Sequence, residues 1–299
     1  MEKNRVEMSN TFRALLEIAR PKQWVKNAFV FAPLLFAQEV LNPVNVMRTC
    51  FAFIIFSMFS SCVYMINDIA DLERDKNHPE KRKRPLPSGR ISIFAVQLAC
   101  MGVFLIAANA AIALSMYMFW AGILYVVINL LYSFWLKSKV ILDGMFIAAG
   151  FVLRIVAGAF VIGKEVSDWL YICAIFVSLF LAFCKRRHEI IFLGETQAGA
   201  HRANLREYST ELLDEIISIV TCATIVTYAL YCIDKASPTY SEGLKYTIPF
   251  VIYGLFRYLY LVHRKEEGGN PTELLLSDRP LLTNGFLWLA VVFWVLYYS

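Results

Sequence analysis

The sequence predicts an all-α, polytopic membrane protein, a bundle of about nine transmembrane helices, on three observations. Hydrophobic residues make up 58% of the 299, more apolar surface than a soluble globule of this length can hide. They fall into long runs, most near the roughly 20 residues that a helix needs to cross a bilayer core. Between the runs lie polar segments that alternate between rich and poor in Lys and Arg. Spans are expected at 27–43, 47–67, 91–112, 115–136, 140–162, 168–184, 213–233, 246–262 and 281–298, in a single domain covering 1–299.

Before the first span, Lys3, Arg5, Arg13, Arg20 and Lys22 stand where a cleaved signal peptide would be apolar. Residues 1–25 read instead as an amphipathic surface segment. Phe12, Leu15, Leu16 and Ile18 face the lipid boundary, Trp24 is an interfacial anchor, and Pro21 breaks the helix. Of the 29 Lys and Arg residues, 24 fall on the side of the N-terminus and of the loops after even-numbered spans. Arg48, Lys164, Lys235 and Lys245 fall on the other side, and Arg154 lies inside the fifth span. That imbalance predicts a cytoplasmic N-terminus in a cell inner (plasma) membrane.

The seven cysteines are scattered without a CxxC pair, so neither a zinc site nor a disulfide framework is expected, and most read as small buried apolar groups. Of the four histidines, only His188 stands near likely chemistry, beside Lys185, Arg186, Arg187 and Glu189.

The chemistry concentrates after the second span. Asp68, Asp71 and Asp75 recur at i, i+3 and i+7, which on a helix puts three carboxylates on one face with Asn67 beside them. Like charges so spaced call for a cation, and hard oxygen donors along one helix suit Mg²⁺ shared with substrate phosphates. Lys81, Arg82, Lys83 and Arg84 follow, cations that can hold phosphate oxygens directly. Further along, Lys22 and Lys26 share a helix face at i,i+4, as lipid anchors or as a clamp on a phosphate. Lys137 returns a cation to the same side. Asp143 and Arg154 lie within the fifth span, where ionisable groups mark a site or pair with a partner. Gly268, Gly269, Asn270 and Pro271 signal a turn, and Asp278-Arg279-Pro280 a helix start that can reach the site.

The N-D-x-x-D-x-x-x-D ladder at 67–75 and the R-P-L-P-S-G that follows resemble the UbiA-type intramembrane prenyltransferase superfamily. R-P-K-Q-W-V-K-N at 20–27, Y-S-F-W-L-K at 132–137, L-R-I-V-A-G-A at 153–159 and K-R-R-H-E at 185–189 resemble its decaprenyl-phosphate phosphoribosyltransferase branch. Members that move a prenyl group usually carry a second Asp-rich motif after the sixth helix. Lys185, Arg186, Arg187 and a lone Glu189 stand there instead. The resemblance implies transfer of a 5-phosphoribosyl group from phosphoribosyl diphosphate to a polyprenyl phosphate. It implies Mg²⁺ on Asn67, Asp68, Asp71 and Asp75, and reaction roles for Asp68, Asp71, Lys185 and Arg186. Lys22, Lys26, Lys83, Arg84, Tyr132, Lys137, Arg154 and Glu189 would contact the substrates. The implied partners are the membrane and these two substrates, without nucleic acid, and a homo-oligomer is compatible with the chain. Two other functions fit the inventory: a prenyltransferase acting on an aromatic acceptor, and a transporter or scaffold whose buried charges serve an ion path.

Overall fold

The computed structural model describes residues 11–298 except 12, 166, 202–204, 206, 236–240, 265–273 and 275–276, with backbone alone over 193–201. A 3₁₀ helix, Pro21–Phe31, runs into α1, Ala32–Phe36. There follow α2, Pro43–Ala70, the short α3, Leu72–Lys76, α4, Ile93–Leu114, α5, Met116–Phe134, and α6, Leu142–Ile162. The chain closes with α7, Asp168–His201, α8, Thr210–Ile233, α9, Ile248–Arg264, and α10, Arg279–Tyr298. Among the described residues there is no strand, and the protein is an all-α, multi-pass membrane protein.

Capping residues set the helix ends. Asn42 accepts from the Val44 and Asn45 amides ahead of Pro43, Ser92 from that of Ala95, and Ser209 from that of Leu212, each satisfying orphan donors of a first turn. Asp278 accepts from the Leu281 amide, so the expected helix start at 278–280 forms, while its carboxylate also holds Arg257. The turn read at 268–271 and the lipid-facing Phe12 lie outside the described residues.

Seven helices, α2, α4, α5, α6, α7, α8 and α10, are long and apolar enough to cross a membrane. The first and eighth expected spans are shorter. α9 has 17 residues. In place of the first, expected at 27–43, the chain winds earlier, as 11 residues of 3₁₀ helix over Pro21–Phe31 and 5 of α-helix over Ala32–Phe36. At about 2.0 Å and about 1.5 Å per residue these reach about 30 Å, so the tighter winding gives a short segment the height of a bilayer core.

That winding also changes which residues share a face. With three residues per turn, i and i+3 align. Trp24, Asn27 and Val30 therefore form the inward stripe: Trp24 donates to the Ser61 hydroxyl at 3.1 Å, and Asn27 and Val30 are buried. Lys22 and Lys26 diverge, contrary to the α-helical expectation, with Lys22 exposed and Lys26 half-buried. Trp24 is thus an internal strut rather than a lipid anchor. Residues 13–19 are helical, and their Ala14 and Ile18 bury against Met65, Leu86, Ile91 and Val96 rather than in lipid, clamped by a two-pronged Glu17–Arg90 pair.

One apolar cluster joins Val30 to α2, α4, α5 and α6, and another joins α7, α8, α9 and α10 around Phe180, Leu213, Leu261 and Leu281. The 3₁₀ segment lies so close to α6 that a Cβ at Gly158 would collide with the Val30 carbonyl oxygen. All seven cysteines are free, and Cys50 and Cys222 are exposed rather than buried. Gly158→Val should push the 3₁₀ segment away and lower the melting temperature in detergent by the equivalent of about 1–3 kcal/mol. Gly102→Ala, with open space around it, should leave the melt unchanged.

Candidate functional site

α2 carries Tyr64, Asn67 and Asp68 to its end, breaks at Asp71 (φ −93°, ψ 6°) and resumes as α3. The break divides the expected single carboxylate face. Asp68 and Asp75, 4% and 2% exposed, both turn to Arg84, whose NH1 lies 2.7 Å from Asp75 and 3.5 Å from Asp68. Arg20 closes on Asp68 from the other side, and Lys81 stands 3.9 Å from Asp75. Asp71 turns elsewhere, half-exposed, to Lys137 at 3.6 Å. Among the described residues no three His, Cys, Asp or Glu side chains gather as a metal cage, because arginines stand between the carboxylates.

The donor set nevertheless fits a hard cation. Its carboxylate oxygens are held by arginines that supply the neutralising charge, and the buried Asn67 Oδ1 has no hydrogen-bond partner. An acceptor left unsatisfied inside a protein costs free energy that a bound cation would recover.

A second group forms where α7 continues beyond its apolar part. Arg186 is 1% exposed and donates to Asp143 at 2.5 Å, to Glu189 at 2.6 Å and to the Tyr132 hydroxyl at 3.1 Å. Asp143, fully buried, also accepts from the Tyr208 hydroxyl at 2.8 Å, and that oxygen accepts from the Ile141 amide at 2.6 Å. Burial first, and then the Asp143 carboxylate, push the Tyr208 phenol well above its usual range, so it stays a donor. This knot ties α5, α6, α7 and the segment before α8. Lys185 stands 4.0 Å from Glu189, whereas Arg187 turns away to Asp214, which His263 of α9 also contacts.

Deeper in the bundle, Arg154 is buried without a carboxylate. It donates to Asn27 Oδ1 at 2.7 Å, the Gly150 carbonyl at 2.6 Å and the Tyr125 hydroxyl at 3.1 Å, and lies over the rings of Tyr125, Phe56 and Phe151. Asn27 is itself fixed by donating to Ser57 and Ser60. Asp143 and Arg154, the two ionisable groups of the fifth expected span, do not pair with each other: Asp143 is taken by Arg186.

The structure thus brings together Asn67, Asp68, Asp75 and Arg84, with Asp71 and Lys137 at their edge, and separately Tyr132, Arg186 and Glu189, with Lys185 adjoining. Lys83 pairs outward with Glu80 and Lys22 is exposed. Sequence reasoning missed Arg20 and Tyr208 as site residues. Arg20 sits in the 20–27 motif, in a left-handed conformation (φ 53°) that aims it at Asp68, and Ile141, beside the second group, is also left-handed (φ 67°). Strain of this kind costs about 1–3 kcal/mol and persists where surrounding contacts enforce it.

A relative in Corynebacterium glutamicum, described as decaprenyl-phosphate phosphoribosyltransferase, is 32% identical over 99% of this chain and 90% of its own. A protein of the same description in Mycobacterium tuberculosis is 28% identical over 95% of this chain and 94% of its own. A solved UbiA homologue from Archaeoglobus fulgidus, bound to GPP and Mg²⁺, superposes with a TM-score of 0.73 at 20% identity, covering 95% of this chain and 99% of that one. The model of the UbiA prenyltransferase family matches residues 28–277, and the chain belongs to that family.

Proposed function

We propose that the protein transfers the 5-phosphoribosyl group of phosphoribosyl diphosphate to a polyprenyl phosphate, releasing diphosphate, at the cytoplasmic face of a plasma membrane. The observation that carries this reading is the separation of charge. Carboxylates collect at the end of α2, and the matching position on α7 carries Lys185 and Arg186 with the single carboxylate of Glu189, while Arg187 faces Asp214. A site with one acidic pole handles one metal-bound diphosphate and leaves a second phosphate to cations. The descriptions of the full-length relatives support the same pair of substrates, and the bias of Lys and Arg supports the orientation.

Asn67, Asp68 and Asp75 would hold Mg²⁺, with Asp71, which faces Lys137, completing the set from their edge, and the ion when bound would lower the charge of the leaving diphosphate. Arg20 and Arg84, at the same carboxylates, supply donors to its oxygens as the C1–O bond breaks and the electron pair leaves with the diphosphate. Positive charge develops on the ribose ring, and an anionic oxygen of the lipid phosphate forms the new C1–O bond. An acceptor already ionised needs no strong base. Lys137, Lys185, Tyr132 and Glu189 orient the substrates in this scheme, with Lys22 and Lys83 at the rim, while Arg186 holds Tyr132 and Glu189 in place.

Offered phosphoribosyl diphosphate with polyprenyl phosphates, and in parallel geranyl diphosphate with aromatic acceptors, the purified protein should give a phosphoribosylated lipid by mass spectrometry. A prenylated aromatic product would instead establish the other transferase reaction, and no product from either pair would favour a non-catalytic role. Asp71→Asn should cut turnover by about 10- to 100-fold, the range seen when a group supporting a metal site is lost. Its melting temperature should hold, because Asp71 is half-exposed and paired only with Lys137 at 3.6 Å. Arg186→Ala strands the buried Asp143 carboxylate and should destabilise the fold by about 3–5 kcal/mol, read as a lower melting temperature.

A further inference from the structure

Away from the candidate site, α9 and α10 enclose a groove of about 530 Å³, lined by Tyr253 of α9 and by Arg279, Pro280, Thr283, Asn284 and Leu287 of α10. The two helices touch at its floor, where Asn284 donates to the Phe250 carbonyl at 2.9 Å and a Cβ on Gly254 would come within 3.1 Å of the Asn284 amide nitrogen. Arg279, Thr283 and Leu287 follow one another at i, i+4 and i+8, a single exposed stripe of the helix. At about 1.5 Å per residue, Thr283 lies about 6 Å and Leu287 about 12 Å along the axis from Arg279. α10 is long and apolar enough to cross a membrane, and it starts at Arg279, so these steps are steps in depth. The headgroup layer of one leaflet is about 5–8 Å thick, which sets Arg279 among headgroups, Thr283 at its inner edge and Leu287 among hydrocarbon chains. Arg279 has no counter-charge among the described residues, since the neighbouring Asp278 is held by both prongs of Arg257, at 3.1 and 2.8 Å. A cation in the first turn also works against the helix dipole, so α10 itself gains nothing from it. A role in topology would explain the charge but not the groove beneath it.

We infer that this groove binds an anionic glycerophospholipid of the surrounding leaflet, with its phosphate on Arg279, its ester carbonyls at Thr283 and an acyl chain along Leu287. Basic clefts between transmembrane helices suit acidic headgroups, and the guanidinium offers the phosphate two parallel donors. The exposed Thr283 hydroxyl has no hydrogen bond among the described residues and is free to donate to an ester carbonyl. That donor at the ester level separates the occupant from a polyprenyl phosphate, whose hydrocarbon chain follows its phosphate directly. Beside the groove the Arg257–Asp278 pair ties α9 to α10, so an occupant braces a junction that the protein already clamps. None of the lining residues belongs to the acidic or basic groups of the candidate site, and the inference does not depend on the proposed transfer.

The test is native mass spectrometry of the purified full chain in detergent, titrated with dioleoyl phosphatidylglycerol, dioleoyl phosphatidylcholine or farnesyl phosphate. Phosphatidylglycerol should bind more tightly than phosphatidylcholine, and Arg279→Gln should weaken it about fivefold, one cation's share of the attraction to an anionic headgroup. Arg279→Lys should keep the affinity within about twofold of the wild type, and Thr283→Val should weaken phosphatidylglycerol while leaving farnesyl phosphate unchanged. Without lipid, Arg279→Gln should melt with the wild type, because the side chain is exposed, so lost binding reports the groove and not the fold. Phosphatidylglycerol binding indifferent to Arg279→Gln overturns the inference, and so does equal affinity for the two phospholipids. Farnesyl phosphate binding that Arg279→Gln weakens as much as phosphatidylglycerol binding also overturns it, by giving the groove to the prenyl phosphate.

Discussion

Neutralisation of charge within an apolar bundle is the constraint on which the rest of this structure depends. An ionised side chain withdrawn from water is tolerated only beside a counter-charge or a full set of hydrogen bonds. The protein meets that demand twice at one end of the bundle. Arg20 and Arg84 close on Asp68 and Asp75, and Arg186 closes on Asp143 with Tyr208 and Tyr132 completing the shell. The first group joins the N-terminal segment, α2 and the following loop; the second joins α5, α6 and α7. The elements that carry the candidate chemistry are therefore held in place by the charges that would perform it.

Packing and electrostatics converge on the 3₁₀ segment before α1. It lies against α6 at Gly158, sends Trp24 and Asn27 to serines of α2, and through Asn27 fixes the guanidinium of Arg154. A long 3₁₀ run is uncommon because its hydrogen bonds are poorer than those of an α-helix. Here the Trp24 and Asn27 side-chain bonds to α2 help compensate. The left-handed Arg20 at its start belongs to the same design, since a residue in the α region at that point would send its side chain along the helix rather than across to Asp68.

In this chain the carboxylates sit at the junction of α2 and α3, and α7 offers mainly cations. Under the proposed reaction that asymmetry separates a metal-bound leaving group from an acceptor that is itself a phosphate. The cations are not equivalent. Arg20, Arg84, Lys137 and Lys185 stand beside carboxylates, whereas the donors of Arg154 meet only neutral acceptors.

The all-α, membrane-spanning class and the 67–75 acidic stretch are readable from the amino-acid order, because length and apolarity are local properties, whereas of the nine expected spans seven described helices are long and apolar enough to cross a membrane. The family, too, is carried by short runs such as 67–75 and 185–189. Which acid meets which base was decided only when the helices packed. Asp143 and Arg154 share one helix yet have different partners, because each charge takes the partner that packing brings within reach. The face of Lys26 turned on a 3₁₀ winding that periodicity read as α-helical, and the acidic ladder split at Asp71 because the helix breaks there. Spacing along the chain limits where a side chain can point, whereas pairing depends on distances between segments far apart in sequence, and those exist only in the folded bundle.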